Sequence, residues 1–183
     1  MPRTLFAQHD RFPLKAPFRI ARGVKTAADV VTVTITDGRA TGRGEAVPYP
    51  RYDESVESTL AQITAVRERV EEGADREALL GALPPGAARN AVDCALWDLE
   101  ARLSGRDVAA MIGGVAPKAV ATALTITIDT PAAMADAAAA VRDAPLLKVK
   151  VDAREPQAQL LAVRAAAPGP ALGSAERPPR PPA

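Results

Sequence analysis

Cysteine and histidine are almost missing from this sequence, which has one of each among its 183 residues, Cys94 and His9. A single cysteine excludes an internal disulfide and any metal site built from several cysteines. It is also typical of proteins kept in a reducing compartment. The sequence therefore predicts a cytoplasmic location.

Aromatic residues and net charge are scarce as well, at 3% of the chain and +1. There is no basic patch and no run of lysine or arginine interleaved with aromatics, so nucleic acid and acidic membrane are poor candidates as partners. No stretch of eighteen apolar residues occurs, and the first residues are too polar for a signal peptide, so we expect a soluble protein. The hydrophobic content of 48% is sufficient for an aliphatic core, in one domain or slightly more.

The first fifty residues predict an antiparallel β-meander. Residues 5–20 contain two prolines and are expected to form two short strands with a bend, followed by a loop over 21–26. Residues 30–36 alternate apolar side chains with threonine, the most strand-like pattern in the chain. An Asp37-Gly38 turn then returns the chain into a partner strand over residues 40–47.

Helical periodicity follows the meander. Asp53 or Ser55 can cap the first of these helices, and Gly105 ends the third. Apolar side chains recur three and four residues apart within each segment, as they do on the buried face of a helix. The predicted helices cover residues 55–70, 76–80, 87–103 and 108–112.

After Val120 the pattern changes to strands that alternate with helices. Strands are predicted over 122–128 and 146–151, and helices over 131–142 and 157–167. A βαβα order implies parallel strands, and barrels of this kind carry their chemistry in the loops that follow the strands. Two strands alone cannot close a barrel.

The end of the chain has a different composition. Six of the last sixteen residues are proline, which fixes φ and lacks a backbone donor. Residues 168–183 are therefore predicted to be a disordered Pro/Arg-rich tail rather than the next strand. The composition is that of a GC-rich gene read out of frame, so a truncated or frameshifted chain is expected.

Two lysines stand out in the last predicted strand. Lys148 and Lys150 alternate with Leu147, Val149 and Val151, so the lysines share one face with Cα atoms roughly 6.5–7 Å apart. Like charges at that separation, with partial burial, lower the pKa of an amine. A neutral amine near pH 7 can act as a general base. A solvent-facing edge strand is the alternative interpretation.

This order of segments resembles the enolase superfamily, muconate-lactonising subgroup. The resemblance rests on the helical segment 88–100, followed at the family's distance by Lys148-Val149-Lys150. Segments 20–23, 44–52 and 124–128 are most similar to dipeptide epimerases of the L-Ala-D/L-Glu type. The resemblance implies an α+β capping domain over residues 1–118. It also implies the first βα units of an incomplete TIM-type barrel over residues 119–167.

The resemblance also implies roles for individual residues. Lys150 corresponds to the base that removes the substrate's α-proton, and Lys148 to the neighbour that lies near the carboxylate and lowers the base's pKa. Further substrate contacts are implied for Thr125 on the first barrel strand, Arg22 and Lys25 in the capping loop, and Tyr49 and Tyr52 in a second specificity loop.

In the family, Mg²⁺ on three carboxylates stabilises the enolate formed by proton abstraction. Those carboxylates and the opposing base lie on later barrel strands, so the metal ligands are expected to be absent from this chain. Asp129, Asp143 and Asp152 are interpreted as loop and cap residues. The expected function is dipeptide epimerisation, with this chain itself inactive and a homo-oligomer compatible with the family. The alternatives are o-succinylbenzoate synthase or muconate cycloisomerase activity, or a non-enzymatic remnant.

Several other polar or reactive side chains are interpreted as structural. No partner for His9 is visible in the sequence. Cys94 is expected in the core, and Trp97 is expected to be packed rather than to contact a ligand. Asn90, Asp93, Asp98 and Glu100 are expected to serve structure on the same helix.

Overall fold

The computed structural model describes residues 2–20, 23–115 and 118–174. They divide into two compact units, one with residues 2–13 and 27–115 and the other with residues 14–20, 23–26 and 118–174. Residues 14–20 and 23–26 thus group with the second unit, and the division into a capping domain over residues 1–118 and a barrel part over 119–167 stays a prediction.

The first half of the chain forms a three-stranded sheet in the order β1-β2-β3, most of which belongs to the first unit. The strands are β1 (Thr4–Ile20), β2 (Gly23–Asp37) and β3 (Ala40–Ala46). Strands β2 and β3 pair antiparallel, from Val31 opposite Ala46 to Asp37 opposite Ala40, as the threonine alternation predicted. Gly38 forms the turn with a φ of 60°, which glycine adopts readily.

The prediction of two short strands over residues 5–20 is wrong, because β1 is one continuous strand. It lies at the edge of the sheet, where proline is tolerated. Pro13 and Pro17 are four residues apart, so their missing donors fall on the same side of the strand. An edge strand has one such side without a neighbour to pair with.

Four α-helices and a short 3-10 turn at Pro50–Tyr52 complete the first unit. The N-caps are the expected small polar residues: Ser55 accepts from the Ser58 amide at 3.1 Å, and Asp75 accepts from the Ala78 amide at 2.8 Å. Gly105, with a φ of 67°, ends the third helix. The predicted helices are confirmed as α1 (Val56–Glu71), α2 (Arg76–Ala82), α3 (Ala87–Ser104) and α4 (Val108–Met111).

Strand β3 packs against helix α3 through two glycines. A Cβ atom at Gly42 would overlap the Ala95 carbonyl oxygen, and one at Gly44 would overlap the Ala91 carbonyl oxygen. The absence of a side chain at these two glycines therefore allows the β3 backbone to approach the α3 backbone closely. The core beneath this contact is aliphatic and rich in alanine, as the composition predicted; its fully buried members include Val31, Val33, Ile35, Ile63, Val70, Ala91, Val92 and Ala95.

The polar residues of α3 are largely structural, as predicted. Trp97 lies under the Arg76 guanidinium at 3.3 Å from its ring centroid, and Arg76 donates to Glu100 at 2.9 Å. The Asp98 carboxylate accepts from the Arg43 amide, and Asn90 donates to the Glu45 carbonyl. His9 does have a partner, the Asp29 carboxylate at 2.9 Å.

The expectation of a buried Cys94 is wrong, since the side chain is exposed. The buried face of α3 repeats at Ala88, Ala91, Val92 and Ala95, and position 94 lies between two successive members of that stripe. Apolar neighbours in sequence therefore do not place this residue in the core.

The second unit is a parallel sheet in the order β4-β5-β6, with a helix between successive strands. Its core includes Ile126, Met134, Ala138, Leu147, Val149, Val151, Val163 and Ala167. The predicted strand–helix alternation is confirmed, with shorter elements: β4 (Ala123–Ile126), α5 (Pro131–Ala139), β5 (Leu146–Val149) and α6 (Pro156–Ala166), followed by β6 (Ala171–Ser174).

Strand β6 contradicts the prediction that residues 168–183 are disordered throughout. It pairs parallel with β5, and the Ala171 amide donates to the Pro145 carbonyl at 3.1 Å. The nearby prolines, Pro168 and Pro170, precede the strand, so they remove no donor from its ladder. Their carbonyls accept from the Arg164 guanidinium at 3.0 and 2.8 Å, which fixes the connection. Residues 175–183 lie outside the described part of the chain.

Within residues 2–20, 23–115 and 118–174, no helix is both long and apolar enough to cross a bilayer.

Candidate active site

The alternation predicted for β5 is confirmed by burial. Leu147 and Val149 are fully buried and Val151 nearly so, whereas Lys148 is exposed and Lys150 half-buried. Strand β5 therefore turns its aliphatic side chains into the core of the second unit and its two lysines to the opposite face. The edge-strand alternative does not hold, because β5 is the central strand of three.

Neighbouring strands complete this face beside Lys148. The parallel register sets Thr125 of β4 and Gly173 of β6 on either side of it, so the three residues form one row across the sheet. A Cβ atom at Gly173 would meet nothing within 4 Å. The row thus combines a hydroxyl, an ammonium group and bare backbone next to open space.

Lys150 follows β5 at the C-terminal edge of the sheet. Its amide donates to the Ile126 carbonyl of β4 at 2.9 Å, which extends the ladder by one residue. Burial, followed by the positive charge of Lys148 and a side-chain hydrogen bond with it, holds the pKa of the Lys150 amine below its ordinary value. A larger fraction of Lys150 is therefore neutral near pH 7 than for a solvated lysine, and a neutral amine can accept a proton.

The aspartates near this edge serve the loops, as predicted for Asp129 and Asp152. Asp152 accepts from the Arg154 amide at 3.0 Å and from the Arg154 guanidinium at 2.9 Å. These bonds, that of the backbone amide first, lower the pKa of the Asp152 carboxyl. Asp129 accepts from the Thr130 amide at 2.8 Å.

A magnesium site needs several oxygen ligands directed at one point. Across the described residues, no three histidine, cysteine, aspartate or glutamate side chains come together in that way. Asp129, Asp143 and Asp152 form no such group.

Tyr49 and Tyr52 form a second candidate feature, located in the first unit. Their ring centroids are 6.0 Å apart with the planes tilted by 46°, and Tyr52 is largely exposed. Glu54, which the sequence did not single out, anchors this loop. Its carboxylate accepts from the Tyr49 amide at 2.9 Å and from the Ala87 amide at 2.7 Å.

Glu54 thereby caps helix α3, whose N-cap residue, Gly86, has no side chain to do so. A carboxylate at a helix N-terminus is also favoured by the helix dipole. One acidic side chain thus fixes the tyrosine loop and the start of the helix that covers the sheet.

The two capping-loop cations have different outcomes. The predicted loop over residues 21–26 is wrong from residue 23 onwards, because β2 begins there and carries Lys25, which is exposed. Arg22 lies outside the described residues. Thr125, Lys148 and Lys150 are thus brought together, and their assignment as site residues stays a prediction.

Comparison with known proteins supplies a family. Residues 2–113 match the mandelate racemase / muconate lactonizing enzyme N-terminal domain. The chain is 45% identical to the L-Ala-D/L-Glu epimerase of Escherichia coli (strain K12) over 168 residues, which are 91% of this chain and 52% of that protein. It spans about half the length of the curated relatives it matches.

Solved structures agree with this result. An enolase family member from Agrobacterium tumefaciens, with homology to dipeptide epimerases and with sodium and L-Ala-L-Glu bound, superposes with a TM-score of 0.89 at 49% identity. The match covers 94% of this chain and 53% of that one. A dipeptide epimerase from Cytophaga hutchinsonii, complexed with Mg and D-Ala-L-Val, gives 0.81 at 26% identity over 95% and 51% of the two chains.

The antiparallel sheet with its covering helices is the N-terminal capping domain of enolase-superfamily dipeptide epimerases, and a parallel β unit follows it. The chain belongs to the mandelate racemase / muconate lactonizing enzyme family.

Proposed function

We propose that this chain provides the capping domain and the first proton-abstracting base of a dipeptide epimerase acting on L-Ala-D/L-Glu. The observation that carries the proposal is the lysine pair on β5. Lys150 lies half-buried at the C-terminal edge of a parallel sheet with a lowered pKa, beside the exposed Lys148. Chemistry in parallel α/β units takes place at that edge.

In the proposed reaction, the neutral Lys150 amine takes the α-proton of the glutamate residue. The C–H bond breaks, an N–H bond forms, and the electron pair moves into the adjacent carboxylate. Lys148 lies two residues before Lys150 on the same face of the sheet. It provides positive charge where this negative charge develops. Thr125 and the tyrosine loop are proposed to contact the dipeptide.

Inversion also requires a proton donor on the opposite face of the α-carbon. We assign that role, and the magnesium ligands, to the half of the family fold that this chain does not span. The Cytophaga hutchinsonii relative, complexed with Mg, supports Mg²⁺ as the cofactor of the complete enzyme. When bound, such an ion supplies electrostatic stabilisation of an enolate.

The test is a chimera in which residues 1–167 of this chain replace the matching half of the Agrobacterium tumefaciens relative. With L-Ala-L-Glu and Mg²⁺ in D₂O, we expect the glutamate α-proton signal to disappear in the NMR spectrum. Lys150→Ala should slow this exchange by about 10²- to 10⁴-fold, the usual contribution of a positioned base. Lys118→Ala, which removes an exposed lysine of the same unit, is the matched control and should have no effect.

The same chimera separates the alternatives. A folded chimera that leaves the dipeptide untouched but converts an o-succinylbenzoate precursor or a muconate lactone would assign this half to another activity of the subgroup. A folded chimera that processes none of these substrates, while the intact relative does, would favour the non-enzymatic remnant. The similarity to the Escherichia coli epimerase and to the Agrobacterium tumefaciens structure with L-Ala-L-Glu bound favours the dipeptide.

We further propose a cytoplasmic protein whose partner is a small dipeptide, without a nucleic-acid or membrane partner. The near-neutral charge and the single cysteine support this proposal. A homo-oligomer stays a prediction of the family resemblance.

A further inference from the structure

Gln159 of helix α6 is a polar side chain buried to 1% exposure. A buried amide is costly unless its donor and its acceptor are both used. Here both are used: the amide nitrogen donates to the Asp129 carbonyl at 3.0 Å, and the amide oxygen accepts from the Asp152 amide at 3.2 Å. A carbonyl can only accept and a backbone N–H can only donate, so the two partners fix the orientation of the glutamine amide.

The two partners occupy equivalent places in the sheet. Ile126 and Val149 are register partners at the ends of β4 and β5, and Asp129 and Asp152 each follow three residues later. Gln159 therefore joins the β4–α5 loop to the β5–α6 loop just beyond the C-terminal edge of the sheet.

Lys150 lies within the ring that this bridge closes. On one side its amide is bonded to the Ile126 carbonyl of β4, and on the other its chain continues through Val151 to Asp152, which Gln159 holds. The pairing with β4 thus fixes the backbone of Lys150, and Gln159 fixes the loop that follows Lys150.

We propose that Gln159 is a positioning residue, which holds Lys150 in its half-buried place beside Lys148 by tying together the two loops that follow β4 and β5. Its importance for catalysis rests on the function proposed above. The structural part of the proposal is independent of that function.

Other charged groups around Lys150 do not take over this role. Asp152 directs its carboxylate to Arg154 in its own loop, and Asp129 directs its carboxylate to the Thr130 amide. Lys148 lies on the same face of β5, where its charge repels an ammonium group at position 150 and its side chain forms a hydrogen bond with Lys150. Neither interaction fixes the backbone at Lys150, which is held by the pairing with β4 and by Gln159.

The experiment compares Gln159→Met with Gln157→Met in the full chain. Methionine has nearly the same length as glutamine but no hydrogen-bonding amide, and Gln157 is an exposed glutamine of the same helix. Hydrogen exchange of the Asp152 amide and NMR titration of the Lys150 side chain, assigned with Lys150→Arg, are the readouts.

In Gln159→Met we expect the Asp152 amide to exchange about tenfold faster, since its buried partner is lost. We also expect the titration midpoint of Lys150 to rise towards that of an ordinary lysine, since the side chain is released into solvent. Gln157→Met should change neither readout. A Lys150 titration in Gln159→Met that superimposes on that of the unchanged chain would overturn the proposal and leave Gln159 a purely structural residue.

If Gln159→Met does not fold, Gln159→Asn replaces it, because the shorter amide can reach one loop but not both. The same shift of Lys150 is expected, and the same absence of a shift would overturn the proposal. Dipeptide α-proton exchange by the chimera, with and without Gln159→Met, tests the catalytic part separately. No exchange in the unchanged chimera would reject the proposed function alone. Exchange that Gln159→Met leaves at full rate would reject the positioning role alone.

Discussion

Each of the two units holds a loop in place with a polar side chain, but the two side chains differ in charge and burial. In the first unit the charged Glu54 is partly exposed and bridges the tyrosine loop to the N-terminus of α3. In the second unit the neutral Gln159 is fully buried and bridges the loops after β4 and β5. A charged side chain costs little free energy where water still solvates it. A fully buried polar side chain is instead a neutral amide whose donor and acceptor are both paired.

The units also differ in how their sheets are built. The antiparallel sheet has strands of 17, 15 and 7 residues, and its third strand, β3, packs onto α3 through two glycines. The second has three strands of four residues each, whose stability must come from the side chains beneath them. The lysine pair belongs to this second, shorter sheet.

The largest expected effect tests the dependence of the short sheet on its core. Leu147→Ala removes a fully buried side chain of the central strand and should lower the free energy of unfolding of the second unit by about 2–5 kcal/mol. Urea denaturation followed by hydrogen exchange of β5 amides measures the change. Leu161→Ala, at an exposed leucine of α6, is the control and should cost less than about 0.5 kcal/mol.

A glycine from each unit gives the next test. Gly44→Ala forces a methyl group into the α3 backbone and should destabilise the first unit by about 1–3 kcal/mol or more. Gly173→Ala places the same methyl group in open space on β6 and should leave stability nearly unchanged. Thermal unfolding of the two variants measures how much stability each substitution removes. Equal losses of stability in the two variants would mean that the close approach of β3 to α3 does not require glycine at position 44.

The Glu54 bridge should be weaker than either packing contact. Glu54→Ala leaves the Tyr49 and Ala87 amides without their partner and should destabilise the first unit by about 1–2 kcal/mol. Glu68→Ala, an exposed glutamate of α1, is the control. Chemical denaturation provides the comparison, and a loss no larger than that of the control would remove Glu54 from its proposed anchoring role.

The smallest effect concerns the lysine pair. Because the base must be neutral, activity of the chimera should rise with pH through the pKa of Lys150, and the lowered pKa sets this rise below the pH at which an ordinary lysine loses its proton. Lys148→Met removes the neighbouring charge, so the pKa of Lys150 should increase and the rise in activity should move to higher pH. Burial remains, so the pKa should stay below the ordinary value. An unchanged pH profile would show that Lys148 does not act on its neighbour electrostatically.

Much of the fold could be predicted because its signals are local. The threonine alternation of β2, the Ser55 cap of α1 and the alternation of lysine with aliphatic residues in β5 each appear within a few residues of sequence. The proline content of the whole tail predicts disorder, but Pro168 and Pro170 precede β6 (Ala171–Ser174), so composition alone does not predict this strand.

The bridging residues were missed for a different reason. The partners of Glu54 and Gln159 lie up to 33 and 30 residues away in sequence, and no local pattern encodes such a contact. One signal was available for Gln159. It lies one helical turn before Val163, on the buried stripe of α6, where a glutamine requires an explanation.

Gly173 is a position beside Lys148 where a side chain could be added without a clash. It lies in register beside Lys148, and a side chain added there would meet no neighbour within 4 Å. Most substitutions that reshape a binding surface also cost stability, which limits how many a protein can accumulate. A larger residue at position 173 would alter the space next to Lys148 without a clash inside the described part of the chain. Under the proposed function, a single substitution there would change the surroundings of the lysine pair without a compensating mutation in the second unit.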